Sequence, residues 1–123
     1  MQSTLRSFDI AHLGHVELLT PEPDASLRFF VDVMGMTESG RRGDSVYLRG
    51  WDDYEHHTLK LTAAKVAGMG HFAYRATSPE ALQHRVAVIE AAGRGRGWTE
   101  GDLGHGPAYA FTTPDGHNME IYY

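Results

Sequence analysis

Residues 57–61 have the sequence HTLKL, and residues 117–121 have the similar sequence HNMEI. Each stretch alternates apolar with polar side chains, which is typical of a half-buried β-strand. A second matching pair lies upstream of these strands, because Gly14-His15 is followed 56 residues later by Gly70-His71. The offset between the strand pair is 60 residues, nearly the same interval. This spacing predicts two copies of one structural unit in the chain.

Each copy is predicted to be a β-α-β-β-β unit. In the first copy, a strand over Ala11–Thr20 precedes a helix whose buried face carries Leu27, Phe30, Val31 and Met34, with Gly35 as its C-cap. In the second copy, a strand over Gly70–Ala76 precedes a helix that begins at Ser78-Pro79, with Ser78 as the N-cap. The other strands are predicted near Met36–Ser39, Ser45–Arg49, His57–Thr62, Gly97–Thr99, Ala108–Thr112 and Asn118–Tyr123.

These elements predict an α+β fold. Two βαβββ modules would form a cupped, mostly antiparallel sheet with the helices on its outer face. We expect one domain over residues 10–123, with modules of about 10–64 and 65–123, after a loose N-terminal arm at residues 1–9. The strand positions predicted to face the helices are apolar: Val16, Leu18, Leu59, Leu61, Phe72, Met119 and Ile121.

Composition excludes several classes of protein. The net charge of the chain is -5, so a basic face that binds nucleic acid is not expected. There is no cysteine for disulfides or thiolate chemistry. No apolar run reaches the roughly 20 residues of a membrane span, and no signal peptide is recognisable, so the expected location is cytoplasmic. The chain contains eight histidines, and their placement is therefore the main guide to chemistry.

Three residues at repeat-related positions are candidate metal ligands: His15, His71 and Glu120. Two imidazoles and one carboxylate form the ligand set of non-haem Fe(II) sites, which leaves coordination positions open for substrate and O₂. The alternative is a polar layer in which these side chains hydrogen-bond one another. Lys60 is the repeat counterpart of Glu120, so we expect its ammonium group in the same cavity. There it would repel a metal ion or pair with Glu120.

Further polar residues lie near the predicted cup. His57 is interpreted as a general base, or as a donor to bound dioxygen, or else as a solvent-exposed residue at a strand start. His105, in a glycine-rich loop, could gate or contact a ligand, and Tyr109 and Tyr122 are expected to line the core or the substrate cavity. His84 is expected on the solvated side of the second helix.

Taken together, these motifs resemble the vicinal oxygen chelate superfamily, which includes glyoxalases, bleomycin resistance proteins and extradiol dioxygenases. More narrowly, the chain resembles the N-terminal half of extradiol dioxygenases of the catechol 2,3-dioxygenase type. The similarity covers nearly all of the chain from about Phe8 to Tyr123. It is carried by Gly14–Leu18, Leu27–Met36, Ser45–Trp51, His56–Leu61, Gly68–Arg75 and Pro114–Tyr122.

The resemblance implies cleavage of a catecholic ring with O₂ at Fe(II), or at Mn(II) as the other candidate metal. The ligand positions of the family fall on His15, His71 and Glu120, and its second-sphere histidine falls on His57. Its active-site tyrosine, ten residues before the ligand glutamate, falls on Ala110. In the family the C-terminal half bears the metal. The chain is therefore also compatible with a silent structural domain without metal, or with a metal-free small-molecule-binding dimer of the resistance type. We expect it to pair with another copy or with a second domain.

Overall fold

A computed structural model of the chain describes residues 8–123. Most of the predicted N-terminal arm, residues 1–7, lies outside the described residues. Within these described residues the eight strands are β1 Ile10–Thr20, β2 Thr37–Arg42, β3 Ser45–Arg49, β4 Leu59–Ala63, β5 Gly68–Ala76, β6 Gly95–Thr99, β7 Ala108–Thr112 and β8 Asn118–Tyr122. The helices are α1 Pro23–Arg28 and α2 Pro79–Ala91, and a π-helical segment over Phe29–Val33 directly follows α1. The element order confirms the predicted α+β class with two βαβββ modules.

The chain divides into two compact units. The first unit is Gly14–Phe72, and the second comprises Ala73–Tyr123 together with residues 8–13. The proposed division of a single domain into modules of about 10–64 and 65–123 stays a prediction. No helix among residues 8–123 has the length and apolar character needed to cross a membrane.

The sheet of the first unit has the strand order β2-β3-β4-β1. The β2–β3 and β3–β4 pairs are antiparallel, whereas β4 and β1 are parallel and place Glu17 beside Lys60. Leu48, Leu59 and Leu61 form the buried core of this unit. Leu18, Leu27, Phe30, Val31 and Met36 pack against it. The core therefore covers the face of the sheet that the alternation assigned to the first helix.

The first helix differs from the prediction in its second half. The backbone N–H of Met34 donates to the carbonyl of Phe29 at 3.1 Å, a bond that spans five residues and widens the turn. The prediction that Met34 lies on the buried face is wrong, since its side chain is 58% exposed. The wider π turn rotates this side chain away from the position that regular α-helical spacing gives it. Gly35 follows with a positive φ of 79°, as expected for the residue that ends the helix.

The second unit contains the end of β5, from Ala73 onward, and its strands have the order β5-β8-β7-β6, in which both the β8–β7 and β7–β6 pairs are antiparallel. Helix α2 begins as predicted, because the side chain of Ser78 accepts a hydrogen bond from the backbone N–H of Ala81 at 3.0 Å. Beneath the helix lies a core of Ala76, Ala81, Leu82, Val86, Tyr109 and Ile121. The two units are thus also alike in their packing, because in each of them a helix covers one face of the strands.

Candidate functional site

The polar face of the first unit follows from strand alternation. Leu18 on β1 packs with the core, and so do Leu59 and Leu61 on β4. The residues between them in sequence therefore point to the opposite face of the sheet, where His15 and Glu17 lie on β1. The parallel register brings Lys60 and Thr62 of β4 to the same face. Chemistry-bearing side chains are thus held on two rigid neighbouring strands.

On this face His15 and His71 meet through their Nε2 atoms, which lie 2.8 Å apart. The ring planes are nearly perpendicular, at 84°, and His15 is only 1% exposed. Two nitrogens bound to one ion at about 2.0–2.1 Å and at right angles would lie about 2.9 Å apart. The pair therefore fits two adjacent ligands of one metal ion.

Behind His71 stands Glu17, a residue that the sequence reasoning did not select. Its Oε1 lies 3.0 Å from Nδ1 of His71, and its Oε2 accepts a hydrogen bond from Thr62 at 2.7 Å. Burial raises the pKa of Glu17, but hydrogen bonds from His71 and Thr62 and the charges of His71 and Lys60 outweigh it and lower the pKa below its ordinary value. Its position two residues after His15, on the same strand face, was the available signal.

Lys60 was expected beside Glu120. In the structure its Nζ lies 3.9 Å from Oε2 of Glu17 and 5.4 Å from the ring centre of Tyr47. Its side chain is 16% exposed, so this ion pair is partly shielded from water. The counter-charge of Lys60 is therefore a carboxylate that itself holds His71, a partner that the repeat alignment alone did not indicate.

His57 also lies on the first unit and is 2% exposed, so the alternative of a solvent-exposed residue is wrong. Its ring centre is 4.7 Å from that of His15 and 4.5 Å from that of Tyr47. Its Nδ1 lies 2.9 Å from Nδ1 of His56, so the tautomers of these two rings are linked. Tyr47 is a second residue that the sequence reasoning missed. Its position opposite Lys60 in the β3–β4 register is what indicates that it belongs to this face.

Glu120 is on β8 of the second unit and is partly buried. Its register partner on β7 is Ala110, so the position of the family's tyrosine lies directly opposite the candidate ligand. Tyr109, the neighbour of Ala110, packs in the core beneath α2 and donates a hydrogen bond to Glu90 at 3.2 Å. Strand alternation thus gives Tyr109 a core position, and the expectation that it binds substrate is not supported.

Tyr122 and His105 form a stacked pair in the second unit. Their ring centres are 3.9 Å apart with an interplanar angle of 11°, and the guanidinium carbon of Arg75 lies 4.9 Å from the centre of the Tyr122 ring. Burial lowers the pKa of His105, although its hydrogen bond to the carbonyl of Gly106 and the charges of Glu120 and Asp102 act in the opposite direction. The ring of His105 is therefore held in place by stacking on the ring of Tyr122.

His84 belongs to a different cluster, and the expectation that it is solvated is wrong. It is 8% exposed, and its Nδ1 lies 2.9 Å from Oδ2 of Asp9, which is fully buried. The same oxygen accepts a hydrogen bond from Nε of Arg85 at 2.8 Å. Nε2 of His84 has no hydrogen-bond partner among the described residues. A carboxylate 75 positions away in sequence explains why a histidine on this helix is buried.

Comparison with known proteins places the chain in a family. Residues 12–121 match the Glyoxalase/Bleomycin resistance protein/Dioxygenase superfamily, and the chain belongs to it. The chain is 54% identical over 94% of its length to a metapyrocatechase from Geobacillus stearothermophilus. It is 40% identical, again over 94% of its length, to a manganese-dependent 2,3-dihydroxybiphenyl 1,2-dioxygenase from Geobacillus genomosp. 3. The predicted superfamily is confirmed.

Solved structures give the same result for the fold. A homoprotocatechuate 2,3-dioxygenase from Brevibacterium fuscum superposes with a TM-score of 0.87 and 28% identity, over 98% of this chain and 34% of that one. The corresponding enzyme from Arthrobacter globiformis gives a TM-score of 0.87 with 26% identity, over 98% of this chain and 38% of that one. The chain spans 36% and 37% of the two curated relatives, about a third of their length.

Proposed function

We propose that this chain is a domain of an extradiol ring-cleaving dioxygenase of the catechol 2,3-dioxygenase type, which opens a catecholic ring with O₂. The observation that carries the proposal is the convergent His15–His71 pair, with Nε2 atoms 2.8 Å apart. It occurs in a chain that is 54% identical to a metapyrocatechase. Since the chain covers about a third of such relatives, the activity of the whole protein is part of the proposal.

The proposed metal ligands are His15, His71 and Glu120. Each offers one ligand atom, so that the proposed set is two imidazole nitrogens and one carboxylate oxygen. This donor set suits Fe(II), with Mn(II) as the other candidate, and one relative is described as manganese-dependent. When bound, the ion would supply Lewis acidity and a template for a catechol and O₂.

The residues around the pair have their own proposed tasks. Glu17 would hold His71 in position through the 3.0 Å contact with Nδ1. His57 would accept or return a proton of the phenolic substrate at a ring nitrogen, because it is buried and its ring centre is 4.7 Å from that of His15. His105 and Tyr122 would provide an aromatic surface for the substrate.

An anaerobic titration with Fe(II) and catechol, followed by addition of O₂, tests the proposal. The wild-type chain is expected to form the coloured ring-fission product. His71→Ala should lower product formation at least about 100-fold, because an inner ligand is lost. His12→Ala, which changes an exposed histidine, is the matched control and should leave the rate unchanged. Product formation at the wild-type rate in His71→Ala would reject the proposed ligand set.

A catalytically silent domain is the second candidate, and Ala110 favours it. This alanine stands opposite Glu120, where the family's tyrosine would lie. Metal uptake that is absent in the wild-type chain but present in Lys60→Ala would support a silent site. Uptake by the wild-type chain would favour the dioxygenase.

The domain is also proposed to pair with a second copy or with another domain of a longer protein. On the first unit the side chains of Phe29, Val33 and Met34 are 48%, 72% and 58% exposed, which is unusual for large apolar residues so close in sequence. Light scattering of the chain at increasing concentration should show association. A strictly monomeric chain at high concentration would contradict pairing with itself.

A further inference from the structure

The orientation of His71 depends on which of its ring nitrogens carries the proton. A neutral imidazole donates from one nitrogen and accepts, or binds a metal, through the other. Nε2 of His71 faces His15, whereas Nδ1 faces Oε1 of Glu17 at 3.0 Å. A carboxylate accepts only, so this contact favours the proton on Nδ1 and leaves the lone pair of Nε2 directed at His15.

Glu17 is itself held by a short chain of hydroxyl groups. Thr62 donates its single hydroxyl proton to Oε2 of Glu17 at 2.7 Å. Oγ of Ser45 lies 2.8 Å from Oγ1 of Thr62, so Ser45 is the donor in that hydrogen bond. Lys60 adds a positive charge 3.9 Å from Oε2. The carboxylate is therefore fixed from the side opposite His71.

Gly70 provides the space in which Glu17 lies. A Cβ atom added at Gly70 would overlap Oε1 of Glu17 and lie 2.7 Å from its carboxyl carbon. Glycine inside a strand weakens the strand, and it often marks a place where another group approaches the backbone closely. Gly70 thus admits the carboxylate to the position from which it reaches the ring of His71, the next residue.

We propose that Glu17 is a positioning residue that sets the tautomer and orientation of His71, with Thr62, Lys60 and the bare backbone of Gly70 as its supports. The consequence for metal binding rests on the proposed function. In this arrangement Lys60 favours the ligand state of His71 through Glu17, the opposite of the effect expected when Lys60 was paired with Glu120. Lys60→Ala is then expected to weaken metal binding.

The tautomer can be measured without metal. Long-range ¹⁵N–¹H spectra of the histidine rings, recorded on the full chain at a pH where His71 is neutral, distinguish a proton on Nδ1 from one on Nε2. We expect Nδ1–H in the wild type, a mixture of tautomers in Glu17→Ala and in Gly70→Ala, and recovery of most of the Nδ1–H form in Glu17→Gln, which keeps an acceptor oxygen. Glu22→Ala removes an exposed glutamate without a side-chain cap bond and is the matched control.

Metal affinity gives the second readout, measured by calorimetry with Mn(II) alone. Loss of a group that orients a ligand histidine typically weakens binding about 10–100-fold, and this loss is expected for Glu17→Ala. Circular dichroism shows whether Glu17→Ala folds. If it does not, the affinity is measured on Gly70→Ala, in which the carboxylate of Glu17 is displaced without being removed.

The two proposals fail separately. A wild-type chain that binds no Mn(II) or Fe(II) would overturn the proposed metal function, while the tautomer spectra would still decide the role of Glu17. A His71 ring whose tautomer is the same in wild type, Glu17→Ala, Gly70→Ala and Glu22→Ala would overturn the positioning role. Equal Mn(II) affinity of a folded Glu17→Ala and the wild type would do the same.

Discussion

Each unit of this protein has a carboxylate that contacts Nδ1 of a histidine, and the two contacts are almost equal in length. The distance is 3.0 Å between Glu17 and His71 in the first unit and 2.9 Å between Asp9 and His84 in the second. Their surroundings differ. The side chains of the first pair are both 14% exposed, whereas those of His84 and Asp9 are 5% and 0% exposed.

The two histidines also differ at their other ring nitrogen. Nε2 of His71 faces Nε2 of His15, and Nε2 of His84 is buried without a hydrogen-bond partner among the described residues. Asp9 is further bound by Arg85, and its backbone carbonyl accepts from the N–H of Thr77 at 2.9 Å. The same kind of contact is therefore proposed to orient a metal ligand in the first unit, whereas in the second unit it is fully buried and joins the residues before β1 to α2.

The largest effect that separates the two pairs is expected from Asp9→Ala. The substitution removes a fully buried carboxylate from the guanidinium of Arg85 and from Nδ1 of His84. The free energy of unfolding should fall by about 3 kcal/mol. Urea unfolding followed by circular dichroism measures the change, with Asp52→Ala on an exposed loop as the control. A loss no larger than that of Asp52→Ala would show that the buried dyad does not secure the second unit.

Glu17→Ala is expected to have a smaller effect on stability. The side chain of Glu17 is 14% exposed whereas that of Asp9 is fully buried, so the unfolding free energy should fall by about 1–2 kcal/mol. The same urea titration measures it, with Glu22→Ala as the control. If Glu17→Ala proved as destabilising as Asp9→Ala, the first dyad would be a structural element like the second, and the functional contrast between the units would disappear.

The smallest effect concerns His105, the histidine stacked on Tyr122. Because burial lowers its folded-state pKa below the ordinary value of about 6.5, the unfolded chain binds the proton more readily. The contribution of neutral His105 to the free energy of unfolding is therefore fully present above about pH 6.5. It is lost as the pH falls from there through the lowered folded-state pKa. His105→Phe keeps an aromatic ring without a titrating nitrogen.

The measurement is a series of unfolding titrations between pH 5 and pH 8. The decline in stability toward low pH should be shallower in His105→Phe than in the wild type. Identical slopes in His105→Phe and the wild type would show that the second unit holds this ring without any preference for its neutral form.

Much of the fold could be predicted from local patterns. Alternation located the strands, the offset of about 56–60 residues revealed the two units, and Ser78-Pro79 fixed the start of α2. The π-helical segment could not be predicted, because apolar residues at helical spacing do not distinguish bonds that span four residues from bonds that span five. The prediction was therefore correct for the helix at Leu27 and wrong at Met34.

The candidate site shows more clearly what local sequence patterns cannot predict. His15 and His71 were found because the repeat places them at equivalent positions. Glu17 lay on the correct face, but its partner Thr62 follows only from the parallel pairing of β1 with β4, a long-range contact that the sequence does not display. The buried state of His84 likewise depends on Asp9, which is 75 residues away. Local patterns thus selected the candidate ligands, whereas the groups proposed to orient them could be recognised only from the tertiary structure.

The parallel pairing of β1 with β4 has a consequence for how the first unit forms. β2 and β3 are close in sequence and can associate by closing a short loop, but Val16 must find Leu59 across all the intervening chain. The entropy lost in closing that loop is recovered only when the parallel strands meet. The strand that carries His15 and Glu17 is thus expected to join its sheet late, so the proposed site becomes complete only at the end of folding.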